Sequence, residues 1–157
     1  MRIDGLQKMT LLDFPGKVAC TVFTGGCNFR CPFCHNALLV TELPEKPDYT
    51  DDEILSFLKK RAGLLDGVAI TGGEPLMNFD MVKKLVAYCR EQEKIHNKNF
   101  RFTMTTNGML IDDDVIDFCN KECHNVVLSL DGRKEVNDRF RKDYAGHGSY
   151  DTIVPKF

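Results

Sequence analysis

The sequence predicts an α/β fold in which helices cover a mostly parallel sheet. Short apolar runs rich in β-branched and aromatic residues alternate along the chain with amphipathic stretches that carry apolar residues at helical spacing. This alternation is typical of strand–helix–strand units, whose strands pair in parallel. The chain has 157 residues, a length that suits one domain with one core. We therefore expect a single α/β domain over residues 1–157.

The first part of the chain is predicted to form an antiparallel edge strand, a core strand and a helix. Residues 18–24 make the first core strand, and residues 9–13 are predicted to pair with it antiparallel through a turn at residues 14–17. Asp51 is a suitable N-cap for a helix that runs to about residue 65.

Three further parallel strands are predicted, each separated from the next by a helix. The second and third strands lie at residues 67–71 and 100–106, with a helix over residues 79–93 between them. A third helix at residues 113–122 leads to the fourth strand at residues 125–130. That last strand is left as an open edge, which either a longer chain or a second copy would cover.

The third helix is predicted to turn Val115, Ile116 and Cys119 toward the core. The polar residues 133–148 are predicted to form a long loop. An apolar pattern begins again after residue 149, where Pro155 permits a short turn.

Charge and hydropathy exclude two classes of partner. Charged residues make up 28% of the chain and the net charge is −2, so the sequence has no extended basic field that would hold nucleic acid. The first residues lack the apolar region of a signal peptide, and no apolar run is long enough to cross a bilayer. We expect a cytoplasmic protein, where thiols stay reduced.

Three cysteines fall within a single loop after the first core strand: Cys27, Cys31 and Cys34. They supply three thiolates at one point and no obvious fourth. A cluster held by four thiolates is closed and transfers electrons, whereas one held by three leaves an iron free to bind a small molecule. Gly25 and Gly26 allow the backbone to turn closely around such a cluster, and Pro32 stiffens the segment between two ligands.

Zinc and disulfides are the competing interpretations of these cysteines. His35 follows Cys34 and would complete a Cys3His zinc set, but adjacent residues rarely bind one metal and no second zinc motif is present. The total of seven cysteines is odd and too low for a disulfide framework. The other cysteines are interpreted as small buried hydrophobic residues: Cys20, Cys89, Cys119 and Cys123.

Unusual motifs also follow the other predicted strands. Gly72-Gly73-Glu74-Pro75 comes after the second strand, Asn107-Gly108 after the third and Ser129-Leu130-Asp131-Gly132 at the fourth. Barrels and open α/β sheets build their active sites at this end of the strands. Two glycines let a ligand approach the backbone, and the glutamate carboxylate could accept bonds from an ammonium group. The alternative for Glu74 and Pro75 is a simple helix start.

Together, the Cx3Cx2C loop and Gly-Gly-Glu-Pro one strand later resemble the radical S-adenosylmethionine (SAM) superfamily. This resemblance implies a partial (β/α) barrel of the TIM type and a [4Fe–4S] cluster on Cys27, Cys31 and Cys34. The amino and carboxylate groups of SAM would bind the open iron. An electron from the cluster would then split SAM into methionine and a 5′-deoxyadenosyl radical that abstracts a hydrogen from the substrate.

The resemblance also assigns residues to the SAM site. Gly72, Gly73 and Glu74 would hold the methionine ammonium group. Phe33 and His35 would lie along the nucleoside, and Ser129 would face the ribose or the carboxylate. The resemblance also places Asn107 at the cofactor. Arg139 or Arg141 would meet the SAM carboxylate, and Asp131 would lie toward the substrate.

Different parts of the chain resemble two different subfamilies. Residues 5–36 are similar to activating proteins of anaerobic ribonucleoside-triphosphate reductase, which form a glycyl radical on a partner enzyme. Residues from 77 onward are similar to radical SAM peptide maturases of the thioether and sulfatase-maturing kind. Activation of a glycyl radical enzyme is the leading interpretation and peptide maturation the alternative, with flavodoxin or ferredoxin as the implied reductant. A non-catalytic iron–sulfur or zinc binding module remains the alternative of another class.

The family implies six parallel strands, and the sequence provides four. The chain is therefore predicted to be either a C-terminally truncated domain or a homodimer.

Overall fold

A computed structural model describes residues 2–12, 14 and 16–156. Its five strands form one sheet in the order of the chain, with the first strand antiparallel to the second and the other pairs parallel. The strands are β1 (Ile3–Thr10), β2 (Ala19–Thr24), β3 (Gly67–Gly72), β4 (Arg101–Thr106) and β5 (Asn125–Leu128). The α/β class, the four parallel strands and the antiparallel edge strand are thereby confirmed. The described residues form an open sheet, not a closed barrel.

Six α-helices lie within the described part of the chain. They are α1 (Leu38–Thr41), α2 (Asp51–Arg61), α3 (Phe79–His96), α4 (Asp113–Glu122), α5 (Lys134–Phe140) and α6 (Tyr150–Ile153), with short 3-10 turns at Pro75–Asn78 and Val154–Lys156. None of the helices in the described ranges combines the length and apolar character that crossing a membrane requires. The prediction of one domain over residues 1–157 stays a prediction.

The edge strand begins earlier than predicted. β1 covers Ile3–Thr10, whereas residues 9–13 were expected, because residues as far back as Ile3 pair with β2. Leu11 and Leu12 are exposed beyond its end. Asp13 and Pro15, which belong to the predicted strand and turn, lie outside the described residues.

The N-cap of α2 is Thr50 and not Asp51, as the sequence had suggested. The Thr50 hydroxyl accepts a hydrogen bond from the Glu53 amide at 3.3 Å, and the Glu53 carboxylate accepts one from the Thr50 amide at 2.8 Å. This reciprocal pair is a capping box. Asp51 occupies the first helical position, where its negative charge favours the helix dipole.

Replacing Thr50 with alanine is expected to lower the free energy of unfolding by about 1 kcal/mol, the usual cost of losing an N-cap side chain. Urea denaturation of the apoprotein measures this change. Ser56→Ala is the matched control, because Ser56 is an exposed residue inside the same helix, where alanine is the better helix former. An equal loss in both variants would mean that the cap does not carry the effect.

Residues 133–148 are not a long loop throughout, because Lys134–Phe140 forms α5. This short helix has no buried apolar stripe: its apolar Val136 is 40% exposed, while Asn137 is fully buried. The Asn137 side chain accepts from the Asp131 amide at 3.3 Å and donates to the Ser149 hydroxyl at 3.0 Å. Tertiary hydrogen bonds therefore stabilise a helix that hydrophobic periodicity could not reveal.

The core lies between the sheet and helices α2 and α3. Alternate residues of the parallel strands point to this side, as the two-residue period of a strand requires. The buried cluster includes Cys20, Val22, Val68, Ile70, Phe102 and Met104 from the strands and Met81, Val82, Leu85, Val86 and Cys89 from α3. The prediction for α4 is confirmed for Val115, which is 4% exposed, and wrong for Ile116, which is 41% exposed. Ile116 lies beside β5, the open edge of the sheet, where no further strand covers it within the described residues.

Candidate active site

A cavity of about 370 Å³ lies at the carboxyl ends of the parallel strands. The register explains its position, since Thr24 of β2 pairs with Gly72 of β3 and Thr106 of β4 pairs with Leu128 of β5. The loops that follow the four strands are therefore neighbours. The cavity is lined by nearly every residue that the sequence placed at a cofactor: Cys27, Cys31, Phe33, Cys34, His35, Gly72, Gly73, Glu74, Asn107, Ser129 and Arg141.

The cysteine loop turns at two glycines. Gly26 has a φ of +84°, a conformation that favours glycine, and its amide donates to the Leu39 carbonyl at 2.8 Å. Gly25 packs against buried Asp4, whose carboxylate oxygen would lie 1.7 Å from any added Cβ. The predicted turn is confirmed at Gly26, and Gly25 is required by its contact with Asp4. The close approach of this pair to a cluster stays a prediction.

The three cysteines of this loop are free and half-buried. Burial raises the pKa of the Cys27 and Cys31 thiols, and for Cys31 the positive charge of Arg141 opposes this effect. Within the described residues, no three Cys, His, Asp or Glu side chains lie close enough together to hold one metal ion. The three thiols nevertheless line one cavity.

The Gly72-Gly73 turn is bonded directly to the cysteine loop. Gly73 donates its amide to the Thr24 carbonyl at 2.7 Å, and Glu74 donates its amide to the Gly26 carbonyl at 2.8 Å. A Cβ on Gly73 would lie 1.9 Å from the same Gly26 oxygen. The second glycine is therefore required by contact between two backbones.

Glu74 is 1% exposed and its carboxylate accepts three hydrogen bonds from the protein. Oε1 accepts from the Leu76 amide at 3.0 Å and the Thr106 hydroxyl at 2.7 Å, and Oε2 accepts from the Asn107 amide at 2.7 Å. Glu74 thus starts the 3-10 turn, as the alternative interpretation of this motif predicted, and also joins the loops after β3 and β4. Burial raises the pKa of Glu74 although the three hydrogen bonds oppose the rise.

The raised pKa of Glu74 predicts how its contribution to stability changes with pH. The folded state binds the Glu74 proton more tightly than the unfolded state does, so stability falls as pH rises from the ordinary carboxyl pKa through the folded pKa. A Glu74→Gln variant loses the acceptor for the Asn107 amide but does not ionise. We therefore expect wild type to be the more stable form in acid and its advantage to shrink as pH rises. Urea denaturation of both proteins across this range measures the difference, and an advantage that grows with pH would contradict the assignment.

Asn107 connects Glu74 to the cysteine loop. Its side-chain amide donates to Asn28 Oδ1 at 2.6 Å and lies 3.7 Å from Cys27 Sγ. Its Oδ1 accepts from the Met109 amide at 3.1 Å. The side chain is 7% exposed, so it occupies a fixed place between the loops after β2 and β4.

Arg141 and Asp131 form a bidentate ion pair at the rim of the cavity. The two nitrogen–oxygen distances are 2.8 and 3.0 Å. Arg141 lines the cavity, and its guanidinium lies 5.5 Å from the Phe33 ring centroid. Asp131 therefore reaches the cavity through Arg141 and does not line it directly. The sequence offered Arg139 or Arg141 for the SAM carboxylate. The Arg139 guanidinium instead lies 5.2 Å from the Phe140 ring centroid.

The segment after α5 packs over the cysteine loop, which the sequence did not predict. Phe29 and Asp143 form an antiparallel bridge. The Tyr144 hydroxyl donates to the Cys27 carbonyl, and the Arg30 guanidinium lies 4.1 Å from the Tyr144 ring centroid. These residues had no signal beyond polar composition, because their partners lie over 100 positions away in the chain.

The fold and the site define an α/β sheet protein with a thiol-lined cavity at the carboxyl ends of its parallel strands. The chain belongs to the Radical SAM superfamily, whose family model matches residues 21–155. Members of this family use a [4Fe–4S] cluster and S-adenosylmethionine.

Similar proteins carry more than one activity in their names. A Methanocaldococcus jannaschii protein, provisionally named a glycyl-radical enzyme activating enzyme, is 32% identical over 68% of this chain and 40% of its own length. The cysteine-type anaerobic sulfatase-maturating enzyme of Clostridium perfringens strain 13 is 30% identical over 83% of this chain and 36% of its own length.

Solved structures show the same fold. The structure of native anSMEcpe with bound AdoMet has a TM-score of 0.71 and 27% identity, and it matches 83% of this chain and 37% of that one. The same protein with AdoMet and a peptide has a TM-score of 0.71 and 26% identity, over 83% and 36% of the two chains. The chain thus spans about two fifths or less of the length of these relatives.

Proposed function

We propose that the cavity binds a [4Fe–4S] cluster on Cys27, Cys31 and Cys34 together with SAM, and that the protein uses them to abstract hydrogen from a polypeptide. When bound, the reduced cluster and SAM supply a 5′-deoxyadenosyl radical. The main support for this proposal is that three free thiols and the Gly72-Gly73 turn line the same cavity. The cavity volume of about 370 Å³ falls within the usual range for small-molecule sites.

The donor set fits such a cluster. Three thiols line the cavity, and Gly72 and Gly73 line it beside them. A cluster with three protein ligands keeps one iron open. The residues of this chain would bind and orient the small molecule there, since the cofactors carry the radical chemistry.

The polar groups around the cavity match the charges of an amino acid. A carboxylate offers about four lone-pair sites, and Glu74 uses three of them within the protein. One remains for the ammonium group of SAM. Arg141 places a cation in the same cavity, held in orientation by Asp131, and would pair with the carboxylate of SAM. Phe33 and His35 would flank the nucleoside, and Ser129 would bind the ribose.

The leading candidate for the substrate is a glycyl radical enzyme, specifically anaerobic ribonucleotide reductase. Residues 5–36 support this choice, as does the provisional name of the Methanocaldococcus relative. Peptide maturation is the second candidate. It is favoured by the similarity to a sulfatase-maturating enzyme and to a structure that holds AdoMet and a peptide. In both cases the electron donor would be a reduced flavodoxin or ferredoxin of the cytoplasm.

Anaerobic reconstitution with iron and sulfide, followed by addition of SAM and dithionite, tests the proposal. We expect a brown protein that releases 5′-deoxyadenosine and methionine in equal amounts. A colourless protein that releases neither would instead be a zinc or binding module. Mixing the reconstituted protein with the anaerobic reductase then distinguishes the two candidate substrates, because activation of the reductase gives a glycyl-radical signal in electron paramagnetic resonance (EPR). SAM cleavage without that signal would favour the maturase.

A further inference from the structure

We propose that Asn107 raises the reduction potential of the cluster by donating a hydrogen bond from its side-chain amide to the Cys27 thiolate. The inference rests on the proposed function, since it requires a cluster on Cys27. It assigns Asn107 a role as a tuning residue that acts through a cluster ligand.

The geometry brings two N–H donors to one sulfur. Cys27 Sγ accepts from the Phe29 amide at 3.4 Å and from Asn107 Nδ2 at 3.7 Å. In the thiol form, the Cys27 sulfur also donates weakly to Asn28 Oδ1 at 3.9 Å. Ligation removes the thiol proton, so the sulfur becomes a pure acceptor and the two donors remain. One donor is backbone, and Asn107 is the donor that a substitution can remove.

The orientation of the Asn107 amide is fixed by its other partners. Its Oδ1 accepts from the Met109 backbone amide at 3.1 Å, which places Nδ2 on the opposite side, toward Cys27. Asn28 Oδ1, an acceptor, takes the second proton of Nδ2 at 2.6 Å. A flipped amide would set a donor against the Met109 N–H and an acceptor against Asn28 Oδ1. Each of these contacts would then be unfavourable.

The Asn107 backbone is fixed as well. Its amide donates to Glu74 Oε2 at 2.7 Å, and Glu74 is itself bonded to Thr106 and Leu76. The buried carboxylate of the Gly-Gly-Glu-Pro motif therefore positions the residue that reaches the cysteine loop. This gives Glu74 a part in the cluster environment in addition to its place at the SAM site.

Hydrogen bonds to cluster sulfurs change reduction potentials because reduction adds negative charge that spreads onto the thiolates. A donor stabilises the more negative reduced state and makes the cluster easier to reduce. Removing the donor is expected to shift the equilibrium between the oxidised and reduced cluster about tenfold toward the oxidised form. For a one-electron couple this lowers the reduction potential by about 59 mV.

The test is a redox titration of the reconstituted protein without SAM, in which dithionite supplies one electron per cluster and EPR reports the reduced form. Asn107→Leu removes the amide at similar size and should shift the midpoint downward. Asn107→Asp keeps the acceptor for the Met109 amide but faces Cys27 with an oxygen, so it should shift the midpoint downward at least as far. Asn36→Leu is the control. Asn36 lines the same cavity, but its amide donates to the Gly72 carbonyl and not to a cysteine, so its midpoint should match wild type.

Each outcome has a defined consequence. Wild-type midpoints in both Asn107 variants would overturn the tuning role while leaving the proposed function standing. If Asn107→Leu does not fold, the midpoint of Asn107→Asp alone tests the tuning role. Loss of the cluster from both variants, with the cluster retained in Asn36→Leu, would make Asn107 a structural residue and overturn the inference. A wild-type protein that assembles no cluster would instead refute the proposed function.

Discussion

Replacing Cys31 with alanine is expected to reduce SAM cleavage by at least about 100-fold. Loss of a residue that only hydrogen-bonds to a metal ligand already lowers metal affinity or activity by about 10–100-fold, and Cys31 would be a ligand itself. Cys31 lines the cavity between the other two cysteines of the loop and is half-buried beside the Arg141 charge. Its loss leaves two thiolates, too few to hold a cluster that keeps a single open iron. Release of 5′-deoxyadenosine, together with the iron content of the reconstituted protein, measures the effect.

Cys119→Ala is the matched control for this substitution. Cys119 is also a free, half-buried cysteine, but it lies on α4, away from the thiol-lined cavity. It should therefore keep the iron content and the cleavage rate of wild type. Full cleavage by the Cys31 variant, or an equal loss in both variants, would contradict the assignment of the cluster to the loop.

A Gly73→Ala substitution is expected to destabilise the protein by about 3 kcal/mol, the upper end of the usual cost of overpacking. The new methyl carbon would lie 1.9 Å from the Gly26 oxygen and 2.7 Å from the Gly26 carbonyl carbon, and both are backbone atoms. Backbone cannot move aside as the end of a side chain can. The hydrogen bond from the Glu74 amide to Gly26 must also stretch, so the cysteine loop should move and cluster incorporation should fall with stability.

Urea denaturation of the apoprotein gives the change in free energy, and iron content gives the loss of the cluster. Gly63→Ala is the control, because a Cβ at Gly63 meets no atom within 4 Å. That variant should be as stable as wild type and assemble the same cluster. A Gly73 variant with wild-type stability would show that the two loops are not in the contact described.

The location of the site could be predicted from the sequence because parallel strands end at one edge of a sheet. The cysteine loop and the Gly72-Gly73 turn are at least 38 positions apart in the chain, but Thr24 and Gly72 are paired in the register of β2 and β3. Strand periodicity and loop position were enough to bring the two motifs together. The residue types then indicated the chemistry.

The contacts between the loops could not be predicted in the same way. Asn107 lies 80 positions from Cys27, and nothing in its local sequence shows that its amide faces a thiol. Glu74 was expected to offer its carboxylate to a ligand, but the carboxylate is mostly occupied by Leu76, Thr106 and Asn107. Such contacts depend on tertiary geometry to within a few tenths of an ångström, and hydrophobic patterning does not contain that information.

The packing of residues 133–148 was missed for a related reason. α5 is held by buried Asn137, a polar residue with no periodic signal, and the following turn is held by Tyr144 against the cysteine loop. Propensity and periodicity describe a segment by itself, whereas this segment is ordered by its neighbours.

The central claim is that three thiolates hold an iron–sulfur cluster with one iron open to SAM. Mössbauer spectroscopy of the anaerobically reconstituted protein, recorded before and after addition of SAM, tests it most directly. The claim predicts that one iron site differs from the other three and that only its signal changes when SAM binds. A cluster whose irons are all equivalent, and whose spectrum SAM leaves unchanged, would contradict it.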